Sequence, residues 1–143
     1  MEGSKSINRI ISDEQIGKWV CDKIGSEWFK EGTYCIGEVN STILSGAIFE
    51  KFNGASVMVT LATIKSFSRE FINTIHNVAF DVLKMNCVVC QASSSNKKSQ
   101  RLLNHLGFKQ IGTIPKAMID GDMLIFALSR SDRKYGANYG KRS

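Results

Sequence analysis

The sequence predicts an α/β fold, with one mixed, mostly antiparallel central sheet flanked by helices. Three observations carry this. Apolar residues recur at helical spacing along 12–24, 66–84 and 97–106. Between those stretches the period shortens to that of strands. The resulting order is strand, helix, three strands, helix, strand, helix, two strands, which gives an α/β sandwich built on one sheet.

Each element has a local reason. Residues 7–11 suit a short opening strand, and Ser12-Asp13-Glu14-Gln15 reads as a helix start capped by Ser12, with Gln15 completing a capping box. Ile16, Trp19, Val20 and Ile24 share one helix face, Gly25 is the stop, and Trp28 and Phe29 are expected to pack the following turn onto the core. Tyr34-Cys35-Ile36-Gly37-Glu38-Val39 reads as a strand, Asn40-Ser41 as a turn and 42–52 as a second strand. Asn53-Gly54 marks a hairpin, because both residues accept positive φ. The third strand, 56–63, is almost continuously apolar and should lie centrally, buried on both faces. Ser68 caps the main helix, whose apolar stripe runs Phe71, Ile72, Ile75, Val78, Ala79, Val82 and Leu83. Residues 86–92 form a strand, Asn96 caps a helix over 97–106, and Gly107 ends it. Strands over 108–114 and 123–128 flank the turn Asp120-Gly121-Asp122.

The bulk properties narrow the class. At 143 residues and 43% apolar content the chain suits one domain over 1–130 and a basic, Gly-rich, flexible tail over 131–143. No apolar run reaches the ~20 residues that span a bilayer. The N-terminus precedes no secretory hydrophobic region, so a cytoplasmic location is expected. Of the four cysteines, Cys87 and Cys90 are the only close pair, and on a strand they face opposite sides, so buried structural thiols are favoured over a metal or redox site. The net charge is +6. Lys97, Lys98, Arg101, Lys109 and Lys116 lie in a stretch without acids, and Arg130, Arg133, Lys134, Lys141 and Arg142 outnumber Asp132 near the C-terminus. Such surfaces attract a nucleic acid or a phosphorylated nucleotide cofactor, or simply keep the chain soluble.

Asn96-x-x-Ser99-x-x-Leu102-x-x-x-x-Gly107-Phe108, between two strands, resembles the C-terminal half of the Gcn5-related N-acetyltransferase (GNAT) superfamily. The element order matches that fold over about residues 7–130, and the motifs over 57–128. The run Leu106-Gly107-Phe108-x-x-Ile111-Gly112-x-x-Pro115, followed by Gly121-Asp122-x-Leu124-Ile125, is similar to GNAT-like proteins of bacteriophages. The resemblance implies acetyl-CoA as cosubstrate. Its pantetheine arm would follow the backbone of Leu61, Ala62 and Thr63. Its pyrophosphate would meet Ser66, Ser68, Arg69, Glu70 and Phe71 at a helix N-terminus, where free N–H groups and the helix dipole favour anions. The family's loop carries glycines here. This chain has Ser68-Arg69-Glu70-Phe71-Ile72-Asn73, so the loop is degenerate. Asn96 would contact the cofactor arm. Leu103 stands where many members place a Tyr, which leaves Ser99 as the acid for the departing thiolate. For the base that deprotonates the amine, Glu38, Glu50, Asp120, Asp122, His76 and His105 are available, and Glu50 lies on a strand near the expected acceptor side.

Three functions follow. The first is an acetyl-CoA-dependent N-acetyltransferase whose acceptor is an amine on a small molecule or protein. The second is a non-catalytic GNAT-fold phage protein, acting as a virion component or binding a host protein. The third is nucleic-acid binding through the basic stretches.

Overall fold

The computed structural model describes residues 8–136. The strands are β1 (Arg9–Ile11), β2 (Tyr34–Val39), β3 (Ile43–Glu50), β4 (Ser56–Thr63), β5 (Cys87–Ser93), β6 (Lys109–Met118) and β7 (Gly121–Ser129). They form one sheet in the order β1-β2-β3-β4-β5-β7-β6. The helices are α1 (Glu14–Ile24), α2 (Arg69–His76) and α3 (Lys97–His105). The expected α/β architecture is therefore found: a mixed, mostly antiparallel sheet with helices on it. Among the described residues no helix is long and apolar enough to cross a membrane. The chain forms two compact units, 8–51 with 59–71, and 52–58 with 72–136.

In the first unit, α1 packs on β2 and β3 because two glycines clear a place for it. Gly37 and Gly46 are register partners on the adjacent strands. A Cβ on Gly46 would stand 2.6 Å from Val20 Cγ2 and 2.8 Å from Ile16 Cγ2. Ile16 and Val20 thus sink onto bare backbone and join Cys21, Cys35, Val39 and Ile48 in the core. The α1 cap is Asp13, not Ser12: the Asp13 carboxylate accepts the Gln15 N–H at 2.8 Å. Ser12 is one residue too early, and its hydroxyl donates to Cys35 O at 3.0 Å. Gly25 ends the helix at φ 74°. Phe29 does not pack as expected and stays 67% exposed.

In the second unit, β5 pairs antiparallel with β7 from Cys87↔Ser129 to Ser93↔Met123. The first residues of β4 pair parallel with β5, from Ser56↔Cys87 to Met58↔Val89. Before β4, Asn53 works through its side chain rather than its backbone: Oδ1 accepts from Ala55 N at 2.9 Å and Ser56 N at 2.8 Å, while Gly54 supplies φ +91°. Strand β4 is central, but its burial alternates: Val57 and Val59 are buried, Met58 and Thr60 half-buried. Strand β6 runs four residues beyond the expected end at Ile114 and contains Pro115. It lies at the sheet edge, with an irregular register after Ile114 and Lys116 at φ 60°, where a missing N–H costs no ladder bond.

The expected long helix changes character midway. After His76 it widens into a π-helix over Asn77–Val82, closed by the Leu83 N–H on Val78 O at 2.8 Å. The chain after β7 packs on this segment. Arg130 Nη2 donates to Phe80 O at 2.8 Å and Met85 O at 2.7 Å. Arg133 grips Asp81 and Asn77, and the Gly136 N–H donates to Asn73 Oδ1 at 3.2 Å. The rest of the expected tail, 137–143, lies outside the described residues.

Candidate functional site

The residues expected to meet the cofactor divide by unit. Leu61, Ala62 and Thr63 end β4 and are half-buried. Alternation turns Ala62 toward the α1 core, where it packs. The Thr63 hydroxyl lies 2.8 Å from Ser45 Oγ and donates to Leu44 O at 3.3 Å, which ties the end of β4 to β3. Ser66 is exposed before α2, and Arg69 and Glu70 are exposed in its first turn.

Ser68 caps α2 as its sequence suggested, accepting the Phe71 N–H on Oγ at 3.0 Å. Its own proton has a partner that sequence spacing did not reveal. The Ser68 hydroxyl lies 2.9 Å from Glu38 Oε1 and 3.0 Å from Oε2, and donates to that carboxylate. Glu38 is only 3% exposed, and its second contact is Asn8 Nδ2 at 3.3 Å. A carboxylate therefore already sits at the positive end of α2, where the helix dipole favours negative charge. The side chains that replace the family's glycines are buried: Phe71 is 0% and Ile72 4% exposed, and Phe71 stacks on Phe67.

Asn96 and Ser99 come together in the second unit. Asn96 caps α3, its Oδ1 accepting the Ser99 N–H at 3.0 Å. The half-buried Ser99 hydroxyl makes no hydrogen bond among the described residues. Gly107 follows α3 at φ 101°, as expected of a helix stop.

The candidate bases separate by environment. Asp120 and Asp122 are structural: Asp120 accepts from Ser95 Oγ at 2.6 Å and Ser93 Oγ at 2.7 Å. Those two hydrogen bonds, Ser95 first, hold its carboxyl below the usual range. The Asp122 N–H donates to Ser94 Oγ at 2.9 Å, and Asp122 Oδ1 accepts the Lys116 N–H at 2.9 Å. His76 was expected on a helix flank but is buried, 1% exposed, with Nδ1 2.8 Å from Ile72 O and Nε2 3.1 Å from Leu106 O. Burial, with Arg133 adding to it, pushes its pKa down. His105 lies in the last turn of α3.

Glu50, at the end of β3, is half-buried and lines a cavity of about 90 Å³ with Glu27, Trp28, Phe29 and Thr60. Trp28 reaches it because position 17 is glycine; a Cβ there would stand 2.8 Å from Trp28 Cζ2. Its indole N–H is buried without an acceptor. Sequence periodicity had marked Trp28 only as a packing residue. All four cysteines are free, and burial pushes Cys90 up to about 12. Among the described residues no cluster of three or more His, Cys, Asp or Glu could hold a metal ion.

No protein-family model matches the chain, and no curated protein matches it. Solved structures do. A chimera of spermidine N-acetyltransferase SpeG from Vibrio cholerae with hSSAT matches with a TM-score of 0.71 at 13% identity, covering 90% of this chain and 98% of that one. A point mutant of the same Vibrio cholerae enzyme matches at 0.71 and 14% identity, covering 87% and 95%. A probable acetyltransferase matches at 0.60 and 15% identity, covering 71% of this chain and 63% of that one. At such identities the likeness is one of fold. The chain has an α/β, GNAT-like fold.

Proposed function

We propose that this protein is an acetyl-CoA-dependent N-acetyltransferase that passes an acetyl group directly to an amine on a small molecule or protein. The observation that carries this reading is a GNAT-fold likeness over 90% of the chain. The Asn96–Phe108 motif, with its cap and stop in place, adds to it. The residues at the α2 entry fit a phosphorylated ligand in one respect. Phe71 and Ile72 are buried, while Ser66 and Arg69 are exposed beside the helix start. The backbone of Leu61, Ala62 and Thr63 would hold the pantetheine arm, and Ser66, Ser68, Arg69, Glu70 and Phe71 the phosphates. Asn96 would meet the arm. The bound cosubstrate supplies an activated thioester. In the transfer of its acetyl group to the amine nitrogen, Glu50 would take the amine proton, and Ser99 would give its hydroxyl proton to the departing sulfur and regain one from solvent.

A second reading is favoured by one contact. With Glu38 on Ser68, the positive end of α2 already faces an anion, and pyrophosphate would add like charge. On this reading the fold is kept without catalysis, in a phage-type protein that binds a host or virion protein.

Calorimetry separates the two. The transferase reading expects acetyl-CoA binding, and thiol release when amines are added. Absence of binding at millimolar acetyl-CoA sinks it. If binding is weak and Glu38→Gln tightens it, Glu38 is the obstacle and the first reading stands.

A further inference from the structure

The cavity at Glu50 has more chemistry than a base requires. Its walls include Ile24, Trp28, Phe29 and Ile48, and it carries the carboxylates of Glu27 and Glu50. Neither carboxylate has a hydrogen-bond or ion-pair partner among the described residues. Phe29 and Ile24 remain 67% and 49% exposed, so apolar surface stands open beside those charges. The Cys21 thiol, in the same wall, is pushed up by burial first and then by the negative charges of Glu50 and Asp22. The local field is thus negative in a chain of net charge +6. The Trp28 ring is held by packing against the α1 backbone at Gly17, not by a hydrogen bond. Carboxylates beside aromatic faces suit an ammonium group: the anions pair with the charge, and the rings attract it and cover the attached carbons.

We infer that this cavity binds the protonated primary amine of a small molecule with a flat apolar body, with the ammonium on Glu50 and Glu27 and the body on Trp28 and Phe29. The inference rests on the transferase reading only in making this amine the acetyl acceptor. Thr60 lines the cavity, and the next three residues of β4 are those assigned to the pantetheine arm. A linear polycation suits the place less well, because Ile24, Trp28, Phe29 and Ile48 would desolvate the charges spread along its body.

The test is a calorimetric titration of the full chain, without acetyl-CoA, with 2-phenylethylamine, its neutral analogue 2-phenylethanol, and spermidine. The amine should bind at least about tenfold more tightly than the alcohol, a margin that one desolvated charge pair supplies. Glu50→Gln should erase most of that margin and leave the alcohol unchanged. Glu27→Gln, at an exposed position that folding tolerates, should reduce it in the same direction. Equal affinity for amine and alcohol, tighter binding of spermidine, or a margin unchanged in both variants overturns the inference. Because no cosubstrate is present, these results stand apart from the transferase reading. Amine binding without acetyl transfer would sink that reading alone, and acetyl transfer with no amine selectivity in the cavity would sink this one alone.

Discussion

Replacing Arg133 by Met should destabilise the protein by about 3 kcal/mol, and the figure follows from its contacts. The Arg133 side chain is 9% exposed. Its Nη1 and Nη2 donate to the two carboxylate oxygens of Asp81 at 2.8 Å each, Nη2 also to Asn77 Oδ1 at 2.8 Å, and Nε to Tyr135 O at 2.6 Å. The guanidinium carbon also lies 5.6 Å from the Phe80 ring centroid. Methionine replaces the aliphatic stem but removes the guanidinium hydrogen bonds to Asp81, Asn77 and Tyr135. Removing one partner of a buried pair costs about 3–5 kcal/mol. The Asp81 side chain is 25% exposed and regains some hydration, so the lower end applies. Arg133→Lys keeps the charge and loses the planar fork, for a cost of about 1–2 kcal/mol. Urea unfolding followed by far-UV circular dichroism measures both; with m near 2 kcal/mol/M, Arg133→Met should lower the midpoint by about 1.5 M. A double-mutant cycle with Asp81→Asn should give a coupling of at least about 1 kcal/mol. An Arg133→Met variant within about 0.5 kcal/mol of wild type would refute the reasoning, since that is the range of an ordinary surface substitution.

Three further outcomes are expected. The pKa of His76 is lower in the folded state than in the unfolded chain, so its stabilising effect is complete above the unfolded value of about 6.5 and is lost as pH falls below it, by at most about 1.4 kcal/mol per pH unit. Urea midpoints at stepped pH should show that slope, and His76→Asn should flatten it; a wild-type midpoint that does not fall between pH 7 and 5 contradicts the assignment. Gly46→Ala places a methyl against Val20 and Ile16 and should cost about 1–3 kcal/mol, readable as a lower thermal midpoint, whereas unchanged stability would mean that α1 is not seated on β3 as described. Asn96→Ala removes the α3 cap and should cost about 1 kcal/mol in urea, with Asn96→Asp close to wild type; equal losses in both would show that the amide does more than cap.

The elements readable from sequence were those whose causes lie within a few residues. Asn96, Gly107, Ser68 and Gly25 end or start helices through their own backbone neighbours, and each stands where its chemistry placed it. Strands β2 and β4 were legible with their bounds because their apolar runs are closed by turn residues. The misplacements have distant causes. Ser12 lost the α1 cap to Asp13 because its hydroxyl meets Cys35, 23 positions away. His76 looked like a flank residue on helical spacing, yet the Leu106 carbonyl, 30 positions on, holds it in the interior. The helix after His76 departs from the α form in a segment whose Phe80 carbonyl Arg130 takes up from beyond β7, together with that of Met85 just after it.

By itself the sequence determined the order of elements, the sheet class and the resemblance to acetyltransferases, because periodicity, caps and turns are local properties of the chain. Only the tertiary structure decided what stands at the start of α2 and beside Glu50. Glu38 meets Ser68 across 30 residues of sequence, and Glu27, Trp28, Glu50 and Thr60 share a cavity only because α1, β3 and β4 pack together. Such contacts are set by which faces of which elements are buried against each other, and no spacing within a single element encodes them.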